Sequence, residues 1–378
     1  MRKKSFLVIP KNLKGKTAVV RVDFNEPIKG GKLQDSFRIH ETLPTLSMLL
    51  KRGARIILLA HIEDSVTKKQ LSFGPIVGQL ERLIHSKISF VKEYSKSAVD
   101  VGLSSGAKID LLENIRFAKG ETDNNPVFAR TLASFGDFYV NEAFSVSHRE
   151  HASIVGITKY LPSYMGPLCE REVRRLSEAL SPAHPFLLIV GGVKFETKFA
   201  LMKVFMPKAD AIFIGGALAN TFLRAHGLEI GKSVHDEEAV SKIKEDFFTS
   251  KKIFFPLDAR VNKGAKGKDI TKIRPKESIY DIGPETVKGL IDLARLTRLI
   301  VWNGPLGYLE KGYSKSTEDL LKGLSRLKTK VILGGGDTLS VLDHMKLHKK
   351  FYHVSTGGGA MLDFLADGSL PGIEVLKK

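Results

Sequence analysis

Four glycine clusters each follow an apolar run: Gly191-Gly192 after Phe186 to Val190, Gly215-Gly216 after Ala211 to Ile214, Gly334-Gly335-Gly336 after Lys330 to Leu333, and Gly357-Gly358-Gly359 after Tyr352 to Ser355. A strand that passes through a glycine turn into a helix leaves bare N–H groups at the positive end of the helix dipole, and glycine has no side chain to block an approaching anion. One such junction is weak evidence. Four together point to a crevice that handles phosphate. Lys194 follows Gly191-Gly192 closely and Lys198 lies one helical turn later on the same face, so both can address phosphates. For Lys198 alone, a solvated lysine is the plainer reading. Asp337 follows the third cluster and precedes Thr338. A magnesium ion held by one carboxylate and nucleotide phosphates asks for little more protein than that, although a plain helix N-cap would also use an aspartate. Trp302-Asn303-Gly304-Pro305 ends another apolar run in a turn suited to a flat base, with Glu310 close behind. Read alone, it is a tight turn.

The first half of the chain carries a different set: Asp23, Asn25, Arg38, His61, Arg116, Asn141 and Arg149. Three arginines and a histidine make a basic site for a small acidic phosphate, because a phosphate or carboxylate is gripped best by bidentate guanidinium groups. Any one of them is more simply a rim or capping residue. Their shared place, at the ends of apolar runs or in the loops these feed, is what favours a site.

The elements that must hold these residues alternate. Lys16 to Asn25 reads as a β-branched strand running into polar residues, Leu43 to Leu50 as a helix ended by Gly53, and Arg55 to His61 as a second strand. Leu71 to Ile84 and Thr131 to Phe135 have helical spacing. Ile88 to Val91 is a short strand, Ile109 to Arg116 a strand or its exit loop, and Phe138 onward runs again from apolar to polar. A second alternating set gives strands at Phe186 to Val190, Ala211 to Ile214, Leu299 to Trp302, Lys330 to Leu333 and Tyr352 to Ser355. Alternation of this kind predicts mostly parallel sheets covered by helices on both faces, with ligands beyond the carboxyl ends of the strands. Between the sets, Pro162, Pro167, Pro182 and Pro185 bracket a charged helix that reads as a bridge between domains. The expected class is therefore α/β, with two doubly wound, Rossmann-like three-layer domains joined by a hinge helix.

At 378 residues the chain exceeds one ordinary core, taking roughly 150 residues per domain. Its 43% hydrophobic and 26% charged residues exclude a disordered chain. A single cysteine, Cys169, rules out an internal disulfide and a cysteine-based zinc site, and fits a reducing cytoplasm. The first residues are too short of apolar side chains for a signal peptide, and no run approaches a membrane span. The net charge of +18 comes from lysines spread along the whole chain, which reads as a solvated surface. The basic segment Val261 to Lys268 lacks interleaved aromatics and reads as a loop or hairpin, not a nucleic-acid tail. Neither the Gly-x-x-x-x-Gly-Lys-Ser/Thr loop nor a Gly-x-Gly-x-x-Gly after the first strand is present, which argues against a P-loop enzyme and a standard dinucleotide dehydrogenase.

As a set, the motifs closely resemble the phosphoglycerate kinase family. The matching stretches are Val20-Arg-Val-Asp-Phe-Asn-Glu-Pro, Leu111-Leu-Glu-Asn-Ile-Arg-Phe, Tyr139-Val-Asn-Glu-Ala-Phe with His148-Arg-Glu-His-Ala-Ser, Val190-Gly-Gly-Val-Lys, Asn220-Thr-Phe-Leu, Asp281-Ile-Gly-Pro-Glu-Thr, Val301-Trp-Asn-Gly-Pro, Gly334-Gly-Gly-Asp-Thr and Ser355-Thr-Gly-Gly-Gly-Ala, in family order from end to end. The resemblance implies reversible phosphoryl transfer from 1,3-bisphosphoglycerate to ADP, giving 3-phosphoglycerate and ATP with magnesium. It implies a glycerate domain over residues 1–165, rejoined by a tail at 370–378, and a nucleotide domain over 166–369 that includes the hinge helix 166–181. Asp23, Phe24, Asn25, Arg38, His61, Arg116 and Arg149 would bind the glycerate. Lys198, Asn303, Pro305, Glu310, Gly334, Gly335, Gly336, Asp337 and Thr338 would bind ADP or ATP, with Glu310 at the ribose and Asp337 on the magnesium. Arg38, Lys194, Gly357, Gly358 and Gly359 would surround the moving phosphoryl group. Closure about the Pro162 to Pro185 segment would bring the two ligands together, in a cytoplasmic monomer with no nucleic-acid or membrane partner.

One departure stands out. The family usually follows its substrate histidine with Leu-Gly-Arg-Pro, whereas His61 is followed by Ile-Glu-Asp-Ser, so Asp64 stands where an arginine is expected. A carboxylate about 6 Å from the phosphate, at an effective dielectric near 20, would oppose binding by roughly 3 kcal/mol. The loop is therefore expected to turn away, or Lys68 and Lys69 to substitute, with weak glycerate binding that Asp64→Arg would restore. Glu142 for a common aspartate and Ala217 for a frequent third glycine are expected to be tolerated. Two rivals follow from the departure: a nucleotide-binding protein without catalysis, and a kinase of another small carboxylic acid.

Overall fold

The structure, a computed structural model, describes residues 6–64, 67–104, 106–193, 195–262 and 266–377. The chain divides into two compact units, Met1–Arg174 with Ser369–Lys378, and Arg175–Gly368.

In the first unit six strands make one parallel sheet: β1 (Thr17–Arg21), β2 (Arg55–Leu59), β3 (Ile88–Val91), β4 (Ile109–Leu112), β5 (Phe138–Asn141) and β6 (Ser163–Met165), in the order β3-β4-β2-β1-β5-β6. The central strands are apolar at nearly every position that faces a covering layer, the buried Arg21 that closes β1 being the exception. Ala18, Val20, Ile56 and Leu58 pack to one side with Ile39, Leu46 and Leu49 of helix α1 (Phe37–Lys51). Val19, Ile57 and Leu59 pack to the other with Leu132, Phe135 and Tyr139. Each fully buried side chain of this kind contributes about 1.5–3 kcal/mol of apolar burial. Chain order reverses direction between β1 and β5, and ligands in such sheets sit at that reversal, beyond the strand ends.

Helix α2 (Pro167–Leu180) carries the chain across the boundary between Arg174 and Arg175. Its first turn is capped by Glu142, whose Oε1 accepts from the Leu168 N–H at 3.0 Å and whose Oε2 accepts from the Cys169 N–H at 3.4 Å. The Thr45 hydroxyl also donates to this carboxylate.

The second unit has its own parallel sheet: β7 (Phe186–Val190), β8 (Ala211–Ile214), β9 (Ile253–Phe254), β10 (Leu299–Asn303), β11 (Lys330–Gly334) and β12 (His353–Val354), in the order β9-β8-β7-β10-β11-β12. This is the 3-2-1-4-5-6 order of doubly wound sheets, with its reversal between β7 and β10. The α/β class and the two parallel sheets expected from the alternation are present.

Local differences from the sequence reading have local causes. Over 71–84 the helix proper is Val77–Ile84, preceded by a 3-10 turn at Gly74–Ile76 that carries Pro75. The helix expected near Thr131 starts earlier, at Pro126, because Asn125 caps it by accepting from the Val127 and Phe128 N–H groups. Around Val261 the chain forms an antiparallel ribbon in which Asp258–Val261 pairs with Lys268–Asp269 and Ile279–Ile282. The tail returns to the first unit: the Gly372 N–H donates to Ser147 O at 2.8 Å, the Asn141 amide donates to Gly372 O at 3.2 Å, and Phe6 bridges Lys377.

Candidate active site

At the reversal of the first sheet, β1 ends in Arg21 and delivers Asp23 and Asn25 to the loop beyond. Asp23 accepts from the Asn25 N–H at 3.0 Å, from the Ser145 hydroxyl, and from Arg38 Nη1 at 3.3 Å. Arg38 stands on the first turn of α1, where the same Nη1 donates to Asn25 O at 2.8 Å. No side chain of Ser36 caps this helix. The buried Glu26 carboxylate accepts the Arg38 N–H instead, at 2.7 Å. Asp23, ahead of burial, pushes the Arg38 pKa up, so its cation is secure.

His61, at the exit of β2, is 2% exposed. Burial first, and then the positive field of Arg21, Arg116, Arg149 and Arg38, holds its pKa well below the ordinary histidine value. The imidazole is therefore neutral near pH 7. Arg21 can only donate, and its Nη2 lies 3.2 Å from Nδ1, so Nδ1 accepts and the proton sits on Nε2. His61 thus enters the site as a hydrogen-bond donor without charge.

Arg21 was not among the residues that sequence reasoning selected. It is wholly buried, donating through Nε to the Ser153 hydroxyl at 2.9 Å and through Nη1 to Val22 O at 2.5 Å. Ser153 in turn donates to Glu121 through its hydroxyl, at 2.6 Å, and its N–H, at 2.9 Å. The available signal was an arginine closing a strand that is otherwise apolar. Arg116 forms an ion pair with Glu63 at 2.8 Å, and burial followed by Arg149 and Arg21 lowers its pKa to about 10. Arg149 is exposed, with His148 Nε2 at 3.3 Å from its Nε.

Two residues of the first half do not reach the site with their side chains. Phe24 is packed into the core, leaving only its backbone for a ligand. The Asn141 amide is occupied by Ser147 and the returning tail. Asp64 holds the turn that follows His61: its Oδ1 accepts from the Thr67 N–H at 2.6 Å and the Thr67 hydroxyl at 2.9 Å. Lys68 and Lys69 are exposed beside it.

In the second unit a cavity of about 510 Å³ opens at the reversal between β7 and β10. Its walls bring together Gly191, Gly192, Gly216, Lys198, Asn303, Pro305, Glu310, Gly335, Gly336, Asp337, Gly358 and Gly359. The turns after the two strands are pinned to each other, since the Gly191 N–H donates to Asn303 O at 2.9 Å and the Gly192 N–H to Pro305 O at 2.9 Å. A Cβ on Gly191 would sit 2.2 Å from Pro305 O, so only glycine allows this approach. Gly335 and Gly358 adopt φ of +94° and +53° at the starts of the helices Gly336–Met345 and Gly359–Asp367. Lys198, 7% exposed, donates to the Asn303 Oδ1. Tyr280 and Tyr308 line the same space and were not anticipated.

Gly334, Gly357 and Thr338 lie behind the wall. Gly334 is close packed, with Met361 Sδ only 2.1 Å from where a Cβ would stand, and Thr338 is buried. The Gly357 N–H is turned to the Ser355 hydroxyl at 3.1 Å. Lys194 lies outside the described residues.

Glu142 and Glu26 make a pH prediction. Burial raises both pKa values to about 7, from an unfolded value of 4.5. Between these values the folded chain holds more protons than the unfolded one, so their contribution is fully present below pH 4.5 and is lost as pH rises through 7. Each contributes about 3 kcal/mol of decline across that window. Thermal unfolding at pH 5 and pH 8 should show a smaller decline in Glu142→Gln than in the parent. Equal declines would mean that this carboxyl titrates normally.

The family model for phosphoglycerate kinase matches residues 9–368. A phosphoglycerate kinase of Coprothermobacter proteolyticus is 40% identical over 380 residues, covering 96% of each chain, and that of Dictyoglomus turgidum is 38% identical over the full length of both. Among solved structures, phosphoglycerate kinase from Coxiella burnetii is similar with a TM-score of 0.82 at 33% identity, covering 98% of this chain and 99% of that one. The enzyme from Pyrococcus horikoshii gives 0.87 at 28% identity, covering 97% and 96%. Matches of this extent mean that the chain belongs to the phosphoglycerate kinase family, enzymes that move a phosphoryl group between 1,3-bisphosphoglycerate and ADP in glycolysis.

Proposed function

We propose that the arginine cluster around His61 holds the glycerate and that the glycine-walled cavity of the second unit holds the nucleotide. The chain is an enzyme of its family, and the assignment of roles rests above all on the gathering of four glycine turns, Lys198, Asn303, Glu310 and Asp337 around one cavity. In the direction of ATP, a β-phosphate oxygen of ADP attacks the acyl phosphate. The bond from phosphorus to the carboxyl oxygen breaks and 3-phosphoglycerate leaves as a carboxylate. That group is ionised at neutral pH, so no general acid or base is required, and positioning with charge stabilisation carries the step.

Arg38, Lys194 and the Gly357 to Gly359 turn are assigned to the equatorial oxygens of the travelling group, with the Gly357 N–H held by the Ser355 hydroxyl. Of that turn, Gly358 and Gly359 stand at the cavity wall. Arg116, Arg149 and the uncharged His61 hold the far phosphate and hydroxyl of the glycerate. Asp337 fits a magnesium ion: it is an exposed carboxylate at the cavity wall, and no ion pair engages it among the described residues. Such an ion takes its other ligands from nucleotide phosphates and water, and when bound it neutralises their charge. Tyr280 and Tyr308 offer apolar surface to the base.

A glycerate on one unit and a nucleotide on the other react only after closure, which we place about α2. Solution scattering should record a smaller radius of gyration with both ligands than with either; an unchanged radius would rule closure out. The protein acts as a cytoplasmic monomer with small-molecule partners only, and among the described residues no helix is long and apolar enough to cross a membrane. The direct test is ATP formation from 1,3-bisphosphoglycerate and ADP by the purified protein, with Lys194→Ala as the control. No ATP above that control would leave a binding protein without catalysis.

A further inference from the structure

Glu63 occupies the place next to His61 and Ile62 where the resemblance leads one to expect glycine, and it is tied down at both ends. Its N–H donates to the Asn25 Oδ1 at 2.9 Å, and residue 63 bridges Gln70 across the turn. Its carboxylate Oε2 accepts from Arg116 Nη1 at 2.8 Å and from the Gln70 amide at 3.3 Å. Gln70 is itself braced by Asn114, whose amide donates to the Gln70 side-chain Oε1 at 3.4 Å and to Leu71 O at 2.8 Å. The turn beneath is closed by Asp64, with Asp64 N–H to Lys69 O at 2.8 Å and Lys68 N–H to Asp64 O at 3.0 Å. A carboxylate held this way does not drift into solvent.

Arg116 gives Glu63 one of its outer nitrogens, while its Nε is buried without a partner. The Arg116 side chain is 7% exposed and the Glu63 side chain 20%. Arg116 therefore stands in the cationic cluster with its charge already answered from within the chain. An anion arriving there meets a negative group at contact distance from the cation it needs.

We infer that Glu63 is a built-in competitor for Arg116, a specificity-determining residue that stands in for the phosphate end of the substrate and must yield before the glycerate is gripped. The inference rests on the proposed placement of glycerate in the arginine cluster. It shifts attention from Asp64, whose carboxylate serves the turn, to the residue before it. It also names the class of ligand favoured by removing the competitor: small phosphorylated acids and inorganic oxyanions.

The test compares Glu63→Gln, which keeps shape and removes charge, with Glu63→Ala and with Asp64→Asn. In both Glu63 variants the KM for 3-phosphoglycerate should fall about tenfold, and competitive inhibition by sulfate should strengthen by a similar factor, while the KM for ATP stays. Asp64→Asn should leave the glycerate KM within about twofold, because that carboxylate does not engage Arg116. Coupling Glu63→Gln to Arg116→Ala should abolish the gain. A glycerate KM that is unchanged or higher in Glu63→Gln overturns the inference and makes Glu63 a positioning residue for Arg116. An equal gain in Asp64→Asn overturns it in favour of general charge repulsion. Calorimetric titration with 3-phosphoglycerate reads the same ratio without turnover. If the parent makes no ATP but Glu63→Gln binds 3-phosphoglycerate more tightly than the parent, the inference stands while the catalytic assignment falls, and no binding to either protein would defeat both.

Discussion

Arg38→Ala lowers kcat for ATP formation by about 10²–10³-fold, the effect of removing one preorganised charge aimed at a developing anion. Arg38 is suited to that task because nothing about it needs to reorganise. Its backbone N–H is fixed to Glu26 at 2.7 Å and its Nη1 to Asn25 O at 2.8 Å, while Asp23 lies 3.3 Å away. The side chain is still 28% exposed, enough to meet a ligand. Truncation should leave the fold largely in place, since the Asp23 carboxylate keeps the Asn25 N–H and the Ser145 hydroxyl. Arg38→Lys retains the charge but loses the planar fork, so it should recover only part of the rate. Steady-state kinetics with both substrates varied will decide the role. A loss confined to the KM for 3-phosphoglycerate, with kcat reduced less than tenfold, would make Arg38 a binding residue and take the transfer role from it.

The largest stability effect belongs to Arg21→Leu, at about 3–5 kcal/mol. The leucine fills much of the space but strands its partners. Glu121, also fully buried, would lose a cation that helps keep its carboxylate ionised, and Ser153 would lose a donor to its hydroxyl. His61 would lose the group that fixes its tautomer. For a unit of this size the loss should lower the unfolding temperature by roughly 10 °C, read by calorimetry as a shift of the first unit's transition. Adding Glu121→Gln should return part of it, because the uncompensated charge is then gone. If Arg21→Leu unfolds within a degree or two of the parent, the buried guanidinium is not a structural keystone.

The alternation of apolar runs and helices was enough to read both sheets, because parallel strands covered on both faces have almost no polar positions to obscure them. The glycine turns were legible for a similar reason. Gly191 answers to close approach and Gly335 to a φ of +94°, conditions that glycine meets best. Edge strands such as Ser163–Met165 and Ile253–Phe254 were not read, since three or two residues carry no period. In the candidate site, polar residues at strand ends and helix starts, such as Arg38 and His61, could be picked by type and place. The layer beneath them could not. Arg21, Glu121 and Ser153 are distant in sequence and meet only because the fold brings β1, the short helix Lys119–Thr122 and the turn at Ser153 together. Glu63 stayed hidden behind its neighbour: Asp64 was the more conspicuous exchange, but only three dimensions show which of two adjacent carboxylates reaches Arg116. Gly334, Gly357 and Thr338 were marked by family pattern alone, and their place behind the wall, close packed or turned to a neighbouring hydroxyl, is legible only in three dimensions.

The return of residues 369–378 to the first unit has a bearing on biosynthesis. Translation delivers everything the second unit requires once Gly368 has emerged, whereas the half made first still lacks its closing piece, the segment that meets Ser147 and Asn141. The first unit is therefore expected to finish folding after the second, against the usual order on the ribosome. Products that stop at Gly368 would carry a sound second unit beside an unfinished first one, and a protease added to chains stalled there should find its cuts before residue 174.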